Sequence, residues 1–324
     1  MIKRVSNAVT LFLLISLTIF LIRACNRGFD FTAPNISSSS PTANCRMIKQ
    51  TMGKICIPTN PQRLVTLSVP TLGDVLALGI KPIGSINVYQ TESYFPTYLK
   101  SKMEEVKLLG RSQPNLERML LLKPDLIVGW EGSSAEIYPL LSKIAPTVLL
   151  DWQSAPSWRE HFNLLAEVLG KKERQQQAWN HYYQRIEELK QALGDRFQYK
   201  KISFIHLGSR GIESDVKNSF AGSIINDAGL QRPNAQNVIV PYGIVSISEE
   251  ELEKADGDIV FVATWTDNDK QVLAKLQQKA LWKKLRAVQQ NHVYFVNFPA
   301  WTGSNLIAAD VVIDDLFKYL INTP

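Results

Sequence analysis

Segments with the apolar spacing of strands and of helices alternate along two separate stretches of the chain. The first stretch predicts strands at residues 63–68, 82–86, 107–110, 125–130 and 147–152, and helices at 71–78, 115–122 and 136–144. Strands that alternate with helices imply a mainly parallel sheet covered on both faces. The first stretch therefore predicts one α/β lobe.

The second stretch resumes the same alternation further along the chain. It predicts strands at residues 202–207, 258–263 and 292–297, and helices at 221–227, 249–255, 270–278 and 305–320. A second α/β lobe with a mainly parallel sheet is the expected result.

The segment between the two stretches, residues 157–193, contains no proline and one glycine, Gly170. Its apolar residues recur at helical spacing, which predicts one or two long helices that Gly194 ends. Such a length exceeds an ordinary crossover helix and suits a rigid connection between two lobes. The predicted N-terminal lobe, linking long helix and C-terminal lobe are residues 45–155, 156–194 and 195–324.

The N-terminal segment has the composition of an export signal. Lys3 and Arg4 precede a mostly apolar run that ends before Ala24 and Cys25, and this arrangement resembles a bacterial lipoprotein signal. Residues 1–24 are then a signal peptide and Cys25 carries the lipid, although Arg23 is an unusual residue for such a signal. An uncleaved anchor is the alternative, and both interpretations place the rest of the chain outside the cytoplasm.

Residues 25–44 contain Ser37 to Ser40, Pro34 and Pro41, a composition that predicts a flexible tether. Beyond it, Cys45 and Cys56 lie eleven residues apart, with Met52 and Gly53 placed to form a turn between two short strands. This hairpin would bring the thiols within bridging distance, and an exported protein meets the oxidising conditions that a disulfide needs. Two unpaired neighbouring thiols are the alternative.

Composition excludes several classes of function. The chain of 324 residues is 45% apolar and 20% charged, so it can bury sizeable cores. Its formal charge is +6, and removal of Lys3, Arg4 and Arg23 with the signal leaves 33 basic against 30 acidic residues. No basic block stands out, so dedicated nucleic-acid binding is not expected.

Recognisable catalytic motifs are missing from the sequence. It has no glycine-rich dinucleotide or phosphate loop and no Gly-x-Ser-x-Gly elbow, so we expect no enzyme. The four histidines lack the spacing of a metal site. His161 and His181 fall on the linking helix, where we expect solvated positions. His206 and His292 leave a zinc or manganese receptor as a minor alternative.

Aromatic and cationic residues gather at predicted strand ends and in loops: Trp130, Trp152 and Trp265 end strands, Tyr242 and Trp301 lie in loops, and Arg111 and Arg210 lie beside strands. Ligands of open α/β sheets bind beyond the carboxyl ends of the strands, so these side chains could face one cleft. Guanidinium groups and indole faces suit a bulky, partly apolar anion. Core packing is the alternative for each single tryptophan.

Several motifs together resemble the substrate-binding proteins of iron–siderophore ABC importers, the long-helix class of periplasmic binding proteins. They are Asn-Pro-Gln-Arg-Leu-Val at 60–65, Ala-Leu-Gly-Ile-Lys-Pro-Ile-Gly at 77–84, Gly-Arg-Ser-Gln-Pro-Asn-Leu-Glu at 110–117, Leu-Lys-Pro-Asp-Leu-Ile at 122–127 and Asn-Ser-Phe-Ala-Gly at 218–222. The resemblance covers residues 45–321. It implies two α/β lobes joined by a long helix, with a shallow ligand cleft between them.

The resemblance also implies roles for single residues. Arg111 matches an arginine that pairs with the iron-chelating oxygens, and Tyr242 and Trp301 match aromatic positions in the cleft. Trp130 and Trp265 lie near further pocket positions. The ligand is then a ferric siderophore, which holds its own iron, so neither a cofactor nor a set of protein metal ligands is required. Haem, cobalamin and ferric citrate remain alternative ligands for the same architecture.

One acidic residue recurs at the same place in each stretch. Glu117 lies eight residues before Asp125, and Glu250 lies eight residues before Asp258. Carboxylates favour helix N-termini, which alone could explain the spacing. The resemblance implies that Glu117 and Glu250, with Glu249 as the substitute, form ion pairs with a membrane permease and its ATPase complex. A monomer held at the membrane by the lipid on Cys25 is expected.

Overall fold

The computed structural model of the protein describes residues 45–87, 95–151, 157–208 and 211–322. Within them, the strands form one two-stranded sheet and two five-stranded sheets. The predictions for residues 1–24 and 25–44, including lipidation of Cys25, lie outside the described residues. Among the residues that are described, no helix combines the length and apolarity needed to cross a membrane.

The hairpin at the start of the described chain carries the predicted disulfide. Strands β1 (Cys45–Gln50) and β2 (Gly53–Pro58) pair antiparallel, and the turn between them uses Gly53 at φ 110°. Cys45 and Cys56 are joined by a disulfide, with their Cα atoms 5.7 Å apart. The alternative of two unpaired thiols is therefore wrong.

The N-terminal lobe contains the first five-stranded sheet. Its strands are β3 (Leu64–Thr66), β4 (Gly84–Asn87), β5 (Lys107–Arg111), β6 (Leu126–Trp130) and β7 (Thr147–Leu150). Its helices are α1 (Val69–Ala77), α2 (Leu116–Leu121), α3 (Glu131–Ser134) and α4 (Tyr138–Ile144), with 3₁₀ turns at Thr97–Lys102 and Ala135–Ile137. The strand order is β5-β4-β3-β6-β7, and every pair is parallel.

The hairpin docks on β7, which is an edge strand of this sheet. The side chain of Gln50 replaces a neighbouring strand there: its Nε2 donates to the carbonyl of Thr147 (3.0 Å), and its Oε1 accepts from the backbone N–H of Leu149 (2.6 Å). Arg46, from the same hairpin, donates to the carbonyls of Glu167 and Val168. These contacts attach the hairpin both to the sheet and to the linking segment.

The linking segment consists of two helices rather than one. Helix α5 (Trp158–Leu169) ends at Gly170, which adopts the left-handed conformation with φ 64°. Helix α6 (Lys172–Leu193) follows and runs for 22 residues. Gly170 therefore turns the chain, and both helices bury an apolar face in the core.

The C-terminal lobe contains the second five-stranded sheet. Its strands are β8 (Ile202–Gly208), β9 (Gly211–Asp215), β10 (Ile244–Ile247), β11 (Ile259–Thr264) and β12 (Val293–Phe295). Its helices are α7 (Phe220–Asp227), α8 (Asp267–Leu276), α9 (Ala280–Lys284), α10 (Arg286–Gln289), α11 (Phe298–Trp301) and α12 (Leu306–Leu316). Further 3₁₀ turns lie at Gly194–Phe197, Asn234–Gln236, Pro241–Gly243 and Glu249–Ala255, and a π turn at Phe317–Ile321.

The second sheet differs from the first at one edge. Its order is β10-β9-β8-β11-β12, in which β8, β11 and β12 are parallel while β9 and β10 pair antiparallel. The alternation of apolar residues did not predict β9 and β10. The first sheet is therefore entirely parallel, whereas the second is mixed, with two parallel and two antiparallel pairs, so the expectation of a mainly parallel second sheet was wrong. Two α/β lobes joined by helices confirm the predicted fold class.

The repeated aspartates perform the same structural task in each lobe. Asp125 precedes β6 and accepts from the backbone N–H groups of Gln62 and Arg63, at 2.7 and 3.0 Å. Asp258 precedes β11 and accepts from the backbone N–H of Lys201 at 2.7 Å. In each case the carboxylate ties the start of one strand to the start of its neighbour.

Helix α12 joins the lobes because it packs against α1, α6 and α7. Its N-cap is Asn305, whose Oδ1 accepts from the backbone N–H of Ala308 at 3.0 Å. The same side chain lies so close to Gly73 of α1 that a Cβ at Gly73 would be 2.2 Å from the Asn305 Cγ. Only glycine permits this approach, so the two lobes meet closely beneath the site described next.

Candidate functional site

A cavity of about 350 Å³ lies at the carboxyl ends of the strands of the N-terminal lobe. Most of the residues that line it lie at the ends of β3, β4, β5 and β6 or shortly after them. One further residue comes from the linking segment and one from the C-terminal lobe. The lining residues are Leu67, Ser68, Val69, Pro70, Ile86, Ser112, Trp130, Ser133, His161 and Ser304. Its volume is within the range of small-molecule pockets, at the position expected for an open α/β sheet.

The wall of this cavity is apolar with a few hydroxyl groups. Trp130, the last residue of β6, supplies an aromatic face, and Gly132 packs against its ring. Four serines supply hydrogen-bonding groups, and His161 is the one ionisable side chain among the described residues that line the cavity. Such a surface suits the organic scaffold of a ligand and fixes its orientation through a few polar contacts.

A chain of hydrogen bonds lies beneath the cavity. Ser68 caps α1, and its Oγ donates to Thr71 Oγ1 at 2.7 Å. Thr71 Oγ1 lies 3.4 Å from Nε2 of His161, whose Nδ1 lies 2.9 Å from Oδ2 of Asp74. All four side chains are buried. The chain therefore links a hydroxyl on the cavity surface to a carboxyl group in the protein interior.

Burial raises the pKa of the Asp74 carboxyl to about 6, although hydrogen bonds from His161 and from the backbone N–H of Leu306 act in the opposite direction. Asp74 lies on α1, His161 on α5 and Leu306 at the start of α12. The carboxyl group thus sits where the N-terminal lobe, the linking segment and the C-terminal lobe meet.

The corresponding position in the C-terminal lobe is occupied by charged groups. His206, near the end of β8, lies 3.0 Å from Asp215 Oδ2 and 3.5 Å from Glu213 Oε2, both on β9. Arg232 donates to the carbonyl of Asp215, and burial lowers the pKa of its guanidinium to about 10 while Asp215 raises it. All four side chains are buried.

An aromatic pair lies next to this charged group. Trp265, directly after β11, stacks on Phe298 with ring centroids 5.6 Å apart, and Phe298 meets the ring of His206 edge-on at 5.2 Å. Trp265 directly follows the last residue of β11, so its predicted position at a strand end is correct. Trp265 packs against Phe298, whereas Trp130 lines the cavity.

The predicted ligand residues do not all meet at the cavity. Trp130 lines it, and Arg111 ends β5 as an exposed residue directly before Ser112, which also lines it. Tyr242 is 75% exposed in the Pro241–Gly243 turn. Arg210 and Trp152 lie outside the described residues.

Trp301 is placed in the core, with none of its surface exposed. Its ring packs against Phe204 and Phe261 at centroid distances of 4.8 and 4.6 Å, and its Nε1 donates to Asp315 Oδ2 at 2.8 Å. Trp301 therefore packs in the core, which was the alternative to a ligand contact for each tryptophan. A ligand contact for Trp301 has no support from this position.

The two repeated glutamates are exposed, one on each lobe. Glu117 lies in the first turn of α2, which Asn115 caps. Glu250 lies in the Glu249–Ala255 turn between two acids that bind lysines: Glu249 lies 2.8 Å from Lys279, and Glu251 pairs with Lys254. Among these acids, Glu250 is the better placed for an external partner.

The expectation that both histidines of the linking segment are solvated was wrong for His161, which is 1% exposed. His181 is largely exposed and lies 3.5 Å from Asp310. The spacing of His161 from Leu165, four residues later on the same helical face, was the signal that could have revealed its burial. Asp74 and Ser68 were also missed, because neither belongs to a motif.

The remaining histidines do not form a metal site with each other. His206 lies beside Glu213 and Asp215, whereas Nδ1 of His292 contacts the carbonyl of Asp258 at 3.2 Å. In the part of the chain that the structure describes, no group of three or more histidine, cysteine or acidic side chains could hold a metal ion.

Comparison with known proteins agrees with this architecture. A family model described as a periplasmic binding protein matches residues 64–300, well over half of the chain. The chain belongs to the periplasmic binding protein family. Members and relatives reported below are named as binding proteins rather than enzymes.

Two curated relatives of this periplasmic binding protein cover most of its length. A probable siderophore-binding lipoprotein of Bacillus subtilis (strain 168) is 31% identical over 319 residues, covering 95% of this chain and 96% of the relative. An achromobactin-binding periplasmic protein of Dickeya dadantii (strain 3937) is 27% identical, covering 80% of this chain and 86% of the relative.

Solved structures give the same result. SirA of Staphylococcus aureus, complexed with staphyloferrin B, has a TM-score of 0.74 and 26% identity, covering 85% of this chain and 98% of its own. The triscatecholate siderophore binding protein FeuA of Bacillus subtilis, complexed with ferri-bacillibactin, has a TM-score of 0.69. At 22% identity, the second likeness concerns the fold alone.

Proposed function

We propose that this protein captures a ferric siderophore outside the cytoplasm and delivers it unaltered to the permease of an ABC importer. The observation that carries the proposal is the cavity at the strand ends of the N-terminal lobe, with Trp130 in its wall and Ser304 reaching it from the C-terminal lobe. Family membership and the siderophore-binding names of the relatives support the same ligand class.

The cavity wall fits the organic part of a siderophore, and Arg111 fits its negative charge. A siderophore wraps its iron in its own oxygen atoms, so the protein needs surfaces for the scaffold rather than metal ligands. Trp130 and the apolar side chains beside it bury scaffold surface, while the four serines offer hydrogen bonds. Arg111, exposed next to Ser112, supplies paired donors to chelating oxygens at the edge of the cavity.

Delivery requires a second surface, for which we assign Glu117 and Glu250. Each lobe presents one of these exposed carboxylates. Charge pairs at the rim of an interface set register and raise the encounter rate more than they raise affinity. Two acids on two lobes therefore provide two-point docking on basic residues of a permease.

The first residues of the sequence and the names of the relatives support a location outside the cytoplasm. The lipoprotein-like signal and the names of relatives as lipoproteins or periplasmic proteins support a chain held at the outer side of a membrane by lipid on Cys25. The lipid, together with the tether of residues 25–44, keeps the binding protein near its importer and raises its effective concentration there. Mass spectrometry of the membrane fraction tests the lipid on Cys25.

The ligand is tested by fluorescence titration of the purified chain, lacking residues 1–25, with a panel of ferric complexes. The panel contains a ferric trihydroxamate, ferri-bacillibactin and ferric citrate, together with haem and cobalamin. Saturable tryptophan quenching by at least one ferric siderophore is expected. Binding of haem or cobalamin alone, or of stoichiometric zinc by elemental analysis, would contradict the proposal.

The variant Arg111→Ala tests the assigned arginine. We expect about tenfold weaker binding, because one charge-assisted contact to the ligand is lost. Arg118→Ala is the matched control, since it removes another exposed arginine a short distance along the same segment. Equal affinity of both variants would remove Arg111 from the site.

A further inference from the structure

The buried pair formed by Asp74 and His161 is not explained by binding of a neutral scaffold. Asp74 is fully buried, and its Oδ2 lies 2.9 Å from Nδ1 of His161, which is 1% exposed yet lines the cavity. Two apolar residues would fill this space at lower desolvation cost, since buried ionisable pairs are weak stabilisers. The position of the pair directly under the cavity therefore points to a role in recognition.

The surroundings of the pair allow its charge to be counted. Asp74 faces His161 on α5, Thr71 on its own helix and the backbone N–H of Leu306 at the start of α12. Asn305 lies beside α1 and donates to the hydroxyl of Tyr98 at 3.1 Å. Among these described neighbours, Asp74 is the group whose pKa burial raises towards neutral pH.

The pair has two relevant charge states. With an ionised carboxyl group and a neutral imidazole its charge is −1, and with one added proton its charge is zero, whichever of the two groups holds that proton. The raised pKa of Asp74, about 6, places this exchange close to neutral pH. His161 is the one ionisable side chain among the described residues that line the cavity, so the pair in its state of −1 repels an anionic ligand there and the neutral pair does not.

We propose that the Asp74–His161 pair couples capture of an anionic ferric complex to uptake of one proton. His161 is the group that meets the ligand, and Asp74 is a positioning residue that acts through it. The inference rests on the proposed function and narrows the substrate class to ferric complexes with net negative charge. Such complexes bind more tightly as the pH falls from 7.5 to 5.5, while a neutral ferric complex binds equally well throughout.

The hydrogen-bond chain gives the proton a local effect on the cavity surface. While the imidazole is neutral and Nδ1 donates to Asp74, Nε2 accepts from Thr71, and Thr71 in turn accepts from Ser68. When Asp74 takes up the proton, its carboxyl group donates to Nδ1, and the neutral imidazole carries its hydrogen on Nε2 and donates to Thr71. The Thr71 hydroxyl can then donate to Ser68 Oγ, which lets the Ser68 hydroxyl turn and donate to the ligand. An anionic ligand is then met by a donor as well as by a neutral pair.

The test measures affinity for three ferric complexes at pH 5.5, 6.5 and 7.5 in the wild type and in Asp74→Asn. The anionic probes are ferric citrate and ferri-bacillibactin, and the neutral probe is ferrichrome. One proton can change affinity by at most tenfold per pH unit, and we expect about five- to tenfold tighter binding of an anionic probe at pH 5.5 than at pH 7.5. Asp74→Asn should lose this dependence and bind the anionic probe more tightly than the wild type at pH 7.5.

Two controls separate the effect from other causes. Glu187→Gln removes the same charge from an exposed position on α6 and should keep the wild-type pH profile. Titration of the probe itself is common to all variants, so it cancels when they are compared. Calorimetry of ligand binding to the wild type, in two buffers of different ionisation enthalpy, directly counts the protons taken up. This measurement does not depend on whether a variant folds. About half a proton per bound ligand is expected at pH 6.5.

The outcomes distinguish this inference from the proposed function. A wild type that binds an anionic ferric complex with no proton uptake, or with the same pH profile as Asp74→Asn, overturns the inference and leaves the function intact. A wild type that binds ferrichrome alone does the same. A wild type that binds none of the ferric complexes overturns the proposed function and the inference with it.

Discussion

The two lobes share a framework but differ at the carboxyl end of their central strand. In the N-terminal lobe β3 leads through Ser68 into α1, and the space above the strand end is the cavity. In the C-terminal lobe β8 leads into the antiparallel strand β9, which returns with Glu213 and Asp215 beside His206. One lobe keeps an open space where the other places a buried charged group.

This difference separates two tasks that are often combined in one site. The wall around Trp130 is suited to contact with a ligand, because it is partly exposed and contains few ionisable groups. The charged group around Arg232 is suited to fixing the shape of the second lobe, because removal of one buried charge leaves its partner without compensation. We therefore expect substitutions in the N-terminal lobe to affect binding and substitutions in the C-terminal lobe to affect rigidity.

The largest effect is expected from Arg232→Met. The guanidinium is buried against Asp215, so its removal should lower the free energy of unfolding by about 3–5 kcal/mol. The matched change in the other lobe is Ser85→Ala, which removes an uncharged buried partner of Thr66 at 2.7 Å and should cost about 1 kcal/mol. Urea denaturation measures both, and equal costs would contradict the contrast between the lobes.

The tryptophans sharpen the contrast. Trp301→Phe leaves Asp315 without its indole donor and shrinks a fully buried ring, so we expect a loss of about 2–3 kcal/mol in unfolding free energy and unchanged ligand affinity. Trp130→Ala should cost about 1 kcal/mol, since the ring is already half-buried, and should weaken ligand binding about tenfold. The reverse pattern would place the ligand beside Trp301.

Stability should also depend on pH through Asp74. Burial raises the pKa of the Asp74 carboxyl from its ordinary value of 3.8 to about 6, so the folded protein holds this proton more tightly than the unfolded chain. The contribution is therefore present at low pH and is lost as the pH rises from about 4 to about 6, amounting to roughly 2 kcal/mol between pH 4.5 and 6.5. Asp74→Asn should remove this part of the pH dependence, whereas Glu187→Gln should keep it; urea denaturation at both pH values decides.

The smallest effect on the folded protein is expected from Glu117→Gln combined with Glu250→Gln. Both carboxylates are exposed, so unfolding free energy should change by less than about 0.5 kcal/mol and ligand affinity should not change. Uptake of the ferric ligand by whole cells should fall strongly, because both docking charges are lost. Glu187→Gln again serves as the control, and normal uptake by the double variant would contradict the docking role.

Periodicity and turn residues predicted the framework because they report local physical constraints. The parallel strands, the hairpin of Cys45 and Cys56 and the strand-opening aspartates were all predictable from short-range patterns. Strands β9 and β10 were not, since they pair antiparallel at one side of the sheet, where β10 is the edge strand, and their sequences lack a long apolar run. Pairing partners are set by tertiary structure, which spacing along the chain does not record.

The site was less predictable than the fold for the same reason. Trp130 and Arg111 could be placed near the cavity because they end strands of a parallel sheet. Asp74 and His161 are 87 residues apart and meet only because α1 and α5 pack together. Trp301 was predicted in a loop between proline and glycine, whereas it ends α11 and its ring fills the core.

The docking of Gln50 on β7 has a consequence for the tendency of the protein to aggregate. An uncovered edge strand offers its free N–H and C=O groups to strands of other molecules, which invites aggregation. One amide side chain, held in place by a disulfide-closed hairpin, occupies part of that edge. Reduction of the disulfide should therefore promote self-association at concentrations where the oxidised protein stays monodisperse by light scattering.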